Sequence, residues 1–340
     1  MTGAPSALDA PWLAPQIEQL RRARAANRFP TGLLIHDERG AGGEALARFA
    51  AQLALCREPD APCGRCRDCR MFGAAQHPDF IELHPIEDSK VIRVEQVREL
   101  SEQLVLTAHA GGATVALISP ADSMNANAAN ALLKSLEEPR AGVTLILVSA
   151  TPARMPATVL SRCLRLRVAT PARTVSVGWL ERVRGPGPWA TVLDVLGDAP
   201  FEALEADPAA LAQLKAETDR SLSDAFGGRM DIPATAERWA RAESLGLRLA
   251  CLETWITARI DGAVGAPRQS SELRTSAHLP ESASDMNIAV LLRLLEGIYE
   301  LRRLRLTSIN RALALEQLLW QLPRAWQHGP PAPASIVNAL

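Results

Sequence analysis

The sequence contains no apolar stretch long enough to cross a membrane. Its apolar runs are all shorter than the roughly 18 residues that a membrane-spanning helix requires. The opening segment, MTGAPSALDAPWLAPQIEQL, also lacks the basic stretch followed by an apolar core that is typical of a secretory signal. We therefore expect no membrane association and a cytoplasmic location.

The chain also lacks an excess of charge of either sign and has few aromatic residues. Lysine and arginine together number 37 against 38 for aspartate and glutamate, and the 340 residues include one tyrosine and six phenylalanines. A protein dedicated to nucleic acid usually carries a basic excess and aromatic stacking platforms. The composition disfavours that class, while the length allows two or three domains.

Cysteine is scarce as well, and six cysteines in so long a chain do not indicate a disulfide scaffold. Four of them nevertheless fall in the short stretch CREPDAPCGRCRDC, as Cys56, Cys63, Cys66 and Cys69. Thiols at this spacing in a reducing compartment most often share a metal ion. Four thiolates around Zn²⁺ form a closed tetrahedral site with no position for water, so we expect one structural zinc ion per chain.

Two other interpretations of this cluster remain open. An iron–sulfur cluster of the ferredoxin type would need a fourth cysteine three residues on, followed by proline, and the sequence has neither. The second alternative is that the four cysteines bind no metal ion. His77 could replace one thiolate, although HPDF more simply leads into the next strand, and Cys163 and Cys251 are expected to be ordinary core thiols.

The stretch DERGAGGEALARF lacks the residues that would make it a phosphate-binding loop. It follows the apolar run GLLI and leads into a helical pattern, which is the layout of the loop G-x-x-x-x-G-K-[ST]. Gly40 and Gly42 are present, but Asp37 stands at the first glycine, Gly43 at the lysine and Glu44 at the Ser/Thr position. Without the lysine and the hydroxyl, the loop can neither neutralise phosphate charge nor hold Mg²⁺. We predict a degenerate site that binds no ATP.

Short apolar runs alternate with helical patterns in the first half of the chain. Runs without charge suit strands that are covered on both faces of a parallel sheet, and the alternation predicts an α/β domain that ends near Val168. The predicted strands are 32–35, 79–83, 114–118, 143–149 and LRLRV, and the predicted helices include 92–106 and 122–138, with Asp122 or Asn125 as the cap.

The strand pattern ends at about residue 171, and the rest of the chain is helical. VLDVLGDAPFEALEA indicates two short helices around a turn, and 262–286 and the tail after Pro323 indicate loops. One helix carries an apolar stripe, which favours a bundle core and leaves an oligomer interface as the alternative. The stripe comprises Leu291, Leu294, Leu295, Ile298 and Leu301.

Three stretches together carry a resemblance to a known family. They are the degenerate loop with the cysteine cluster inserted after its helix, NALLKSLEEP at 130–139, and SRC at 161–163. The chain resembles clamp-loader subunits of bacterial DNA polymerase III, which are AAA+ proteins related to the ATP-hydrolysing gamma/tau subunits. The likeness is strongest from Leu33 to Cys163, and INRALALEQLL at 309–319 still resembles the family.

The resemblance implies three domains and a supporting role in a larger assembly. The first domain is an AAA+ module at 1–170, with helices on both faces of its sheet and a zinc insertion at 56–69. The second is a helical lid at 171–207, and the third is an all-α collar at 208–340. The implied function is that of a stator without ATPase activity. It would join gamma/tau and delta in a pentameric ring that loads the sliding clamp onto primer-template DNA.

The resemblance also implies roles for particular residues. After the strand VALI, an active relative carries Asp-Glu, the Walker B acids, but this chain has Ser119 and Pro120. Asp122 lies three positions late and is better explained as a helix cap. Arg162 of the motif Ser161-Arg162-Cys163 matches the family's arginine finger, which reaches into the ATP site of the adjacent subunit. Arginine suits that role because its charge is permanent and its planar fork fits phosphate oxygens.

Two other functions fit the sequence less well. An active gamma/tau-like ATPase is disfavoured by the loss of both the loop residues and the Walker B acids. A zinc-dependent nucleic-acid-binding protein unrelated to any ring is disfavoured by the charge balance and the few aromatic residues.

Overall fold

The protein divides into two compact units after Pro171. The computed structural model describes residues 9–38, 40–86, 91–105, 112–241, 244–264, 287–303 and 310–325. The first three residues of the predicted loop at 262–286 are helical, which corrects its start, and the rest of the loop and the tail beyond 325 lie outside the described residues. None of the described helices is long and apolar enough to cross a membrane.

The N-terminal unit is built on a five-stranded sheet in which every pair of neighbouring strands is parallel. The spatial order is β2-β3-β4-β1-β5. β3 and β4 are buried along their whole length, as their charge-free sequences predict. The strands are β1 Gly32–Asp37, β2 Phe80–Leu83, β3 Thr114–Ile118, β4 Val143–Ser149 and β5 Leu164–Val168.

Helices cover both faces of this sheet, because alternate strand residues point to opposite sides. Leu34, Ala116 and Leu145 pack with α4 and α5 in one apolar cluster, while α2 contacts β1, β3 and β4. The helices are α1 Ala14–Ala25, α2 Gly43–Leu55, α3 Arg67–Gly73, α4 Val94–Val105, α5 Ala126–Glu137 and α6 Ala157–Leu160. The predicted parallel sheet with helices on both faces is confirmed.

The helix cap before α5 is one of the two residues that the sequence indicates. Asn125 is the cap, and its side-chain oxygen accepts a hydrogen bond from the backbone N–H of Ala128 at 2.8 Å. Asp122, the other candidate, is not the cap: it lies one turn earlier and accepts a hydrogen bond from Ser149 Oγ at 2.8 Å. A partner 27 residues away in sequence therefore determines its role.

The C-terminal unit is helical throughout its described residues. Its core includes Leu291, Leu294, Ile298 and Leu301 from the predicted stripe, with Leu295 packed against them, so the bundle-core interpretation is supported. Its helices are α7 Arg173–Arg184, α8 Trp189–Leu196, α9 Pro200–Glu205, α10 Pro208–Phe226, α11 Ile232–Arg241, α12 Leu245–Val264, α13 Ile288–Arg303 and α14 Arg311–Leu319.

Two helix ends lie at positions that the sequence indicates. Gly197 ends α8 with a φ of 71°, and Pro200 begins α9, so the two short helices around the Gly-Asp-Ala-Pro turn are confirmed. Asp207 caps α10 by accepting from the backbone N–H groups of Ala209 and Ala210. The boundary at 207 between a lid and a collar stays a prediction.

Candidate functional site

The glycine-rich loop lies between β1 and α2, at the carboxyl end of the parallel sheet. In open parallel sheets this edge is the usual ligand-binding position. Its backbone depends on glycine, because Gly40 has a φ of 67° and Gly42, the cap of α2, a φ of 111°. The chain therefore keeps the turn of a phosphate-binding loop.

The space for a lysine side chain at position 43 is filled by Asp37. A Cβ atom placed on Gly43 would lie 2.4 Å from Cβ and 2.7 Å from Cγ of Asp37. Both distances are below any real contact between carbon atoms, so position 43 accepts no side chain unless Asp37 moves. Asp37, at the first glycine position of the motif, thus leaves no room for a side chain at the lysine position.

The carboxylate of Asp37 is poorly solvated. Burial raises its pKa above the usual value, and the backbone amides of Gly43, Ala41 and Gly42 act in the opposite direction. Its Oδ1 atom is buried and has no hydrogen-bond partner among the described residues. A negative charge thus lies beside the loop amides, where a phosphate group would otherwise bind.

Among the described residues, the ends of the neighbouring strands β3 and β4 offer no metal-binding carboxylate pair. Ser119 follows β3, and its carbonyl oxygen lies 2.7 Å from Nδ1 of His84. Asp122 is engaged by Ser149, at the end of β4, as described above. The arrangement agrees with the absence of Walker B acids at Ser119 and Pro120, and the loss of ATP binding stays a prediction.

Arg162 lies in the turn between α6 and β5 and is held by three hydrogen-bonding groups. Its Nη2 atom is 2.7 Å from Oε1 of Glu137, and its Nη1 atom donates to Thr158 O at 2.9 Å and to Ser161 Oγ at 3.2 Å. The side chain is 35 % exposed. A guanidinium in this position remains accessible to an anion from outside the chain.

Two residues of this arrangement were not identified from the sequence as site residues. Glu137, the first glutamate of NALLKSLEEP, pairs with Arg162. Gly32 allows β1 to approach the same turn, because a Cβ there would lie 3.0 Å from Arg162 O and from Leu136 Cδ2. The only sequence signal was that the stretches carrying the resemblance included both 130–139 and 161–163.

The four cysteines predicted to hold metal come together in the structure. Their sulfur atoms all lie within 4.8 Å of one another, and Cys56 Sγ is 3.8 Å from Cys63 Sγ and 3.9 Å from Cys66 Sγ. A tetrahedron with Zn–S bonds of about 2.3 Å has sulfur–sulfur edges of about 3.8 Å. The distances from Cys56 to Cys63 and Cys66 match this edge, and with Cys69 within 4.8 Å of the others the cluster is compatible with a bound metal ion such as zinc.

Local backbone geometry orients these thiols. The amide of Cys66 donates to Cys63 Sγ, and that of Cys69 to Cys66 Sγ, each at 3.3 Å. Gly64, with a φ of 69°, makes the turn between the first two of these residues. Hydrogen bonds from the Arg65 and Cys66 amides lower the pKa of Cys63 to about 7, whereas burial raises that of Cys56 and takes that of Cys69 to about 12.

His77 is not a member of the cysteine cluster. Its Nδ1 atom accepts a hydrogen bond from the backbone N–H of Asp79 at 3.2 Å, and its Nε2 atom lies 3.7 Å from Asp68 Oδ1. The histidine is buried and leads directly into β2, as the simpler interpretation held. Cys251 is buried in the C-terminal unit and Cys163 is half-buried, and burial raises the pKa values of both thiols, to about 12 and about 11.

Comparison with known families identifies the N-terminal unit. The family model described as DNA polymerase III, delta subunit, matches residues 13–172. This range contains the closed loop, the cysteine cluster and the Arg162 turn. The first half of the chain is therefore related to a class of DNA polymerase III subunits.

Individual relatives define the relationship more closely. The chain is 41% identical over 198 residues to DNA polymerase III subunit delta' of Pseudomonas aeruginosa. This alignment covers 57% of this chain and 56% of the relative. The chain is 33% identical over 144 residues to subunit tau/gamma of Haemophilus influenzae, covering 42% of this chain and 20% of that one. A solved gamma subunit-related protein from Thermotoga maritima aligns with 91% of this chain and 99% of its own at 17% identity, with a TM-score of 0.48.

The predicted resemblance to the delta' subunit of the bacterial DNA polymerase III clamp loader is confirmed, and tau/gamma is a further relative. The matched region spans about half the length of the curated delta' relatives.

Proposed function

We propose that this protein is a non-hydrolysing AAA+ subunit of a DNA polymerase III clamp loader, with the role of a delta' subunit. It joins gamma/tau and delta subunits in a pentameric ring in the cytoplasm. As a stator, it supports the ATP-driven loading of the sliding clamp onto primer-template DNA. The relatedness of residues 13–172 to delta' subunits supports this assignment.

The observation that carries the proposal is the closure of the loop by Asp37. The Asp37 carboxylate occupies the space that a phosphate-binding lysine would need. We therefore infer that the loop of this chain does not serve as an ATPase site. The alternative of an active gamma/tau-like ATPase requires that lysine. The scaffold around the loop is intact, however, and it places Arg162 at the surface.

Arg162 is proposed to act in the ATP site of the neighbouring gamma/tau subunit. During phosphoryl transfer, negative charge spreads over the oxygens of the leaving γ-phosphoryl group. A guanidinium beside these oxygens stabilises the transition state more than the ground state, which raises the rate of hydrolysis. The described position of Arg162 supports this role because two uncharged oxygen atoms orient it and its side chain is 35 % exposed, while its ion pair with Glu137 is itself open to solvent.

The cysteine cluster is proposed to bind one structural Zn²⁺ ion. The segment it joins, from Cys56 to α3, is short, and its described residues are mostly exposed or half-buried. Such a segment buries too little apolar surface to fold alone, and a metal ion bound by four thiolates supplies the missing stability. With no open coordination position, the ion would have a structural and not a catalytic role.

Reconstitution tests the proposal. The chain is mixed with purified gamma/tau and delta, and ring assembly, clamp-stimulated ATPase and clamp loading onto primed DNA are measured with and without it. We expect assembly and loading to depend on this chain and the chain alone to hydrolyse no ATP. Turnover by the isolated chain would support the gamma/tau-like alternative and contradict the proposal, as would unchanged loading in its absence.

A further inference from the structure

A polar pocket lies among α10, α11 and α12 of the C-terminal unit, far in sequence from the loop, the cysteines and Arg162. Its volume is about 350 Å³, near the lower limit of about 300 Å³ for ligand-binding pockets. It is lined by Glu217, Arg220, Ser221, Asp224, Arg238, Trp239 and Arg248. Three guanidinium groups thus converge on one small space.

One of these arginines forms a fixed wall of the pocket. The guanidinium carbon of Arg248 lies 5.2 Å from the centre of the buried Trp239 ring, close enough for a cation–π interaction. Its Nη2 atom is 3.0 Å from Glu217 Oε2, and its Nη1 atom is 3.3 Å from Thr218 Oγ1. The Arg248 side chain is only 12 % exposed, so packing holds it in place.

Both carboxylates that line the pocket are already engaged. Glu217 pairs with Arg248, whose hydrogen bond holds the pKa of this carboxyl below its usual value. Asp224 pairs with Arg229, which does not line the pocket, at 3.2 Å. Arg220 also lies close enough to Glu217 to act on it electrostatically, but among the described residues neither acid forms an ion pair with Arg220 or Arg238.

Arg220 and Arg238 have no carboxylate partner in the described part of the chain. The Nε atom of Arg220 donates to the carbonyl of Ala216 on its own helix at 3.3 Å, and Nη2 of Arg238 donates to Thr235 Oγ1 at 3.4 Å. Most of their N–H groups are therefore available. The lining carries three arginines against two carboxylates, and two of these arginines have no ion-pair partner among the described residues, which favours an anion with several negative oxygens.

We propose that this pocket binds a phosphate group, with Arg220 and Arg238 as its ligands and Arg248 as the fixed cationic wall. Phosphate fits better than a single carboxylate, because it offers more oxygens and more charge to arginine forks that approach from different helices. The same chemistry could come from a small free phosphate compound or from a phosphodiester of nucleic acid, and the experiment separates these sources.

The test uses the full chain and isothermal titration calorimetry with three probes: pyrophosphate, a single-stranded oligothymidylate, and citrate as a polycarboxylate. The variant is the double substitution Arg220→Gln with Arg238→Gln. The matched control is Arg241→Gln with Arg293→Gln, which removes two exposed arginines of the same unit that do not line the pocket. Unchanged thermal unfolding of both variants verifies that they fold, and Arg238→Lys provides a milder variant.

We expect pyrophosphate to bind the wild type and the control equally, and the pocket variant at least about tenfold more weakly, since charge-assisted hydrogen bonds are lost. Oligothymidylate binding with the same dependence on Arg220 and Arg238 assigns the site to nucleic acid as well, and its absence assigns it to free phosphates. Three results would overturn the proposal: no binding of either phosphate probe, equal weakening in the control, or citrate binding as tightly as pyrophosphate.

Discussion

Arg162 Nη2 lies 2.7 Å from Oε1 of Glu137, so an ion pair joins SRC to NALLKSLEEP. These two stretches are separated in sequence by the whole of β4 and α6. Both side chains of the pair remain well exposed, at 35 % and 48 %. The pair therefore holds the proposed arginine finger near the surface without removing it from reach of a partner.

The first prediction concerns Arg162 in the reconstituted ring. We expect Arg162→Ala to lower clamp-stimulated ATPase and clamp loading, while the chain still folds and joins the ring, because the side chain is partly exposed. Arginine fingers are typically worth about 10³ to 10⁵ in rate at their own site. The effect on the whole ring should be smaller, because other subunits supply the remaining fingers.

Two further variants sharpen this test. Arg162→Lys should restore little activity, since a point charge lacks the planar fork. Arg165→Ala is the matched control, because Arg165 is also exposed and donates to a backbone carbonyl, that of Leu160, in the same region. Normal loading by the Arg162→Ala ring would leave the protein as a scaffold only, and failure of that variant to assemble would show Arg162 to be structural.

The second prediction concerns Glu137. The pair is exposed, so Glu137→Gln should change the free energy of unfolding by less than about 1 kcal/mol. Hydrogen bonds to Thr158 and Ser161 should keep Arg162 in place, and the competing carboxylate charge is gone. We therefore expect the ring's apparent affinity for ATP to rise by up to about fivefold. An ATPase titration that gives a clearly lower affinity would instead make Glu137 a positioning residue.

Local sequence patterns predicted the sheet well. The runs that form β3 and β4 are continuous and without charge, and strands buried on both faces have this pattern, so the predicted and observed bounds coincide at 114–118 and 143–149. The thiol spacing likewise predicted the convergence of Cys56, Cys63, Cys66 and Cys69, because short turns set the geometry of the last three.

Contacts between distant residues could not be predicted in this way. The sequence left the cap open between Asp122 and Asn125, and the hydrogen bond from Ser149 that engages Asp122 comes from a distant strand. The pairing of Arg162 with Glu137 likewise depends on how α5 and α6 pack. The sequence showed that the loop lysine is missing at Gly43. It could not show that Asp37 fills the vacant volume, since that depends on the path of the turn between them.

The third prediction concerns the metal. Elemental analysis of the purified chain should find about one zinc ion per molecule, since four sulfurs surround a space that fits the ion. Cys66→Ser should lose the zinc and become sensitive to protease between residues 56 and 75, because the insertion depends on the ion for folding. Cys251→Ser is the control, since this thiol lies in the core of the other unit. A wild-type chain that is free of zinc and equally resistant to protease would contradict the prediction.

The fourth prediction concerns the charge of Asp37. Burial raises the pKa of Asp37 in the folded protein above its usual value of 3.8. Between pH 3.8 and this raised pKa, the folded state therefore binds more protons than the unfolded state. Stability from this group is therefore lost as pH rises through the folded pKa. We expect Asp37→Asn to be more stable than wild type at pH 7, with the difference shrinking as pH falls towards 3.8. Urea unfolding at several pH values measures it, and a difference that grows on acidification would contradict the burial argument.

The last prediction concerns the contact between Asp37 and Gly43. Gly43→Ala should destabilise the protein by about 1 to 3 kcal/mol, the usual range for overpacking, because its Cβ would lie 2.4 Å from that of Asp37. Asp37→Gly should remove most of this cost in the double variant, and a double-mutant cycle in urea unfolding measures the coupling. Gly178→Ala, in α7, is the control, since nothing lies within 4 Å of the added carbon and alanine should stabilise that helix by about 0.5 to 1 kcal/mol. By the same argument, Gly43→Lys with Glu44→Thr should not produce ATPase activity, and it should not bind ATP unless Asp37 is also replaced. Additive effects of Asp37→Gly and Gly43→Ala, with no coupling, would show that the loop is not closed by this contact.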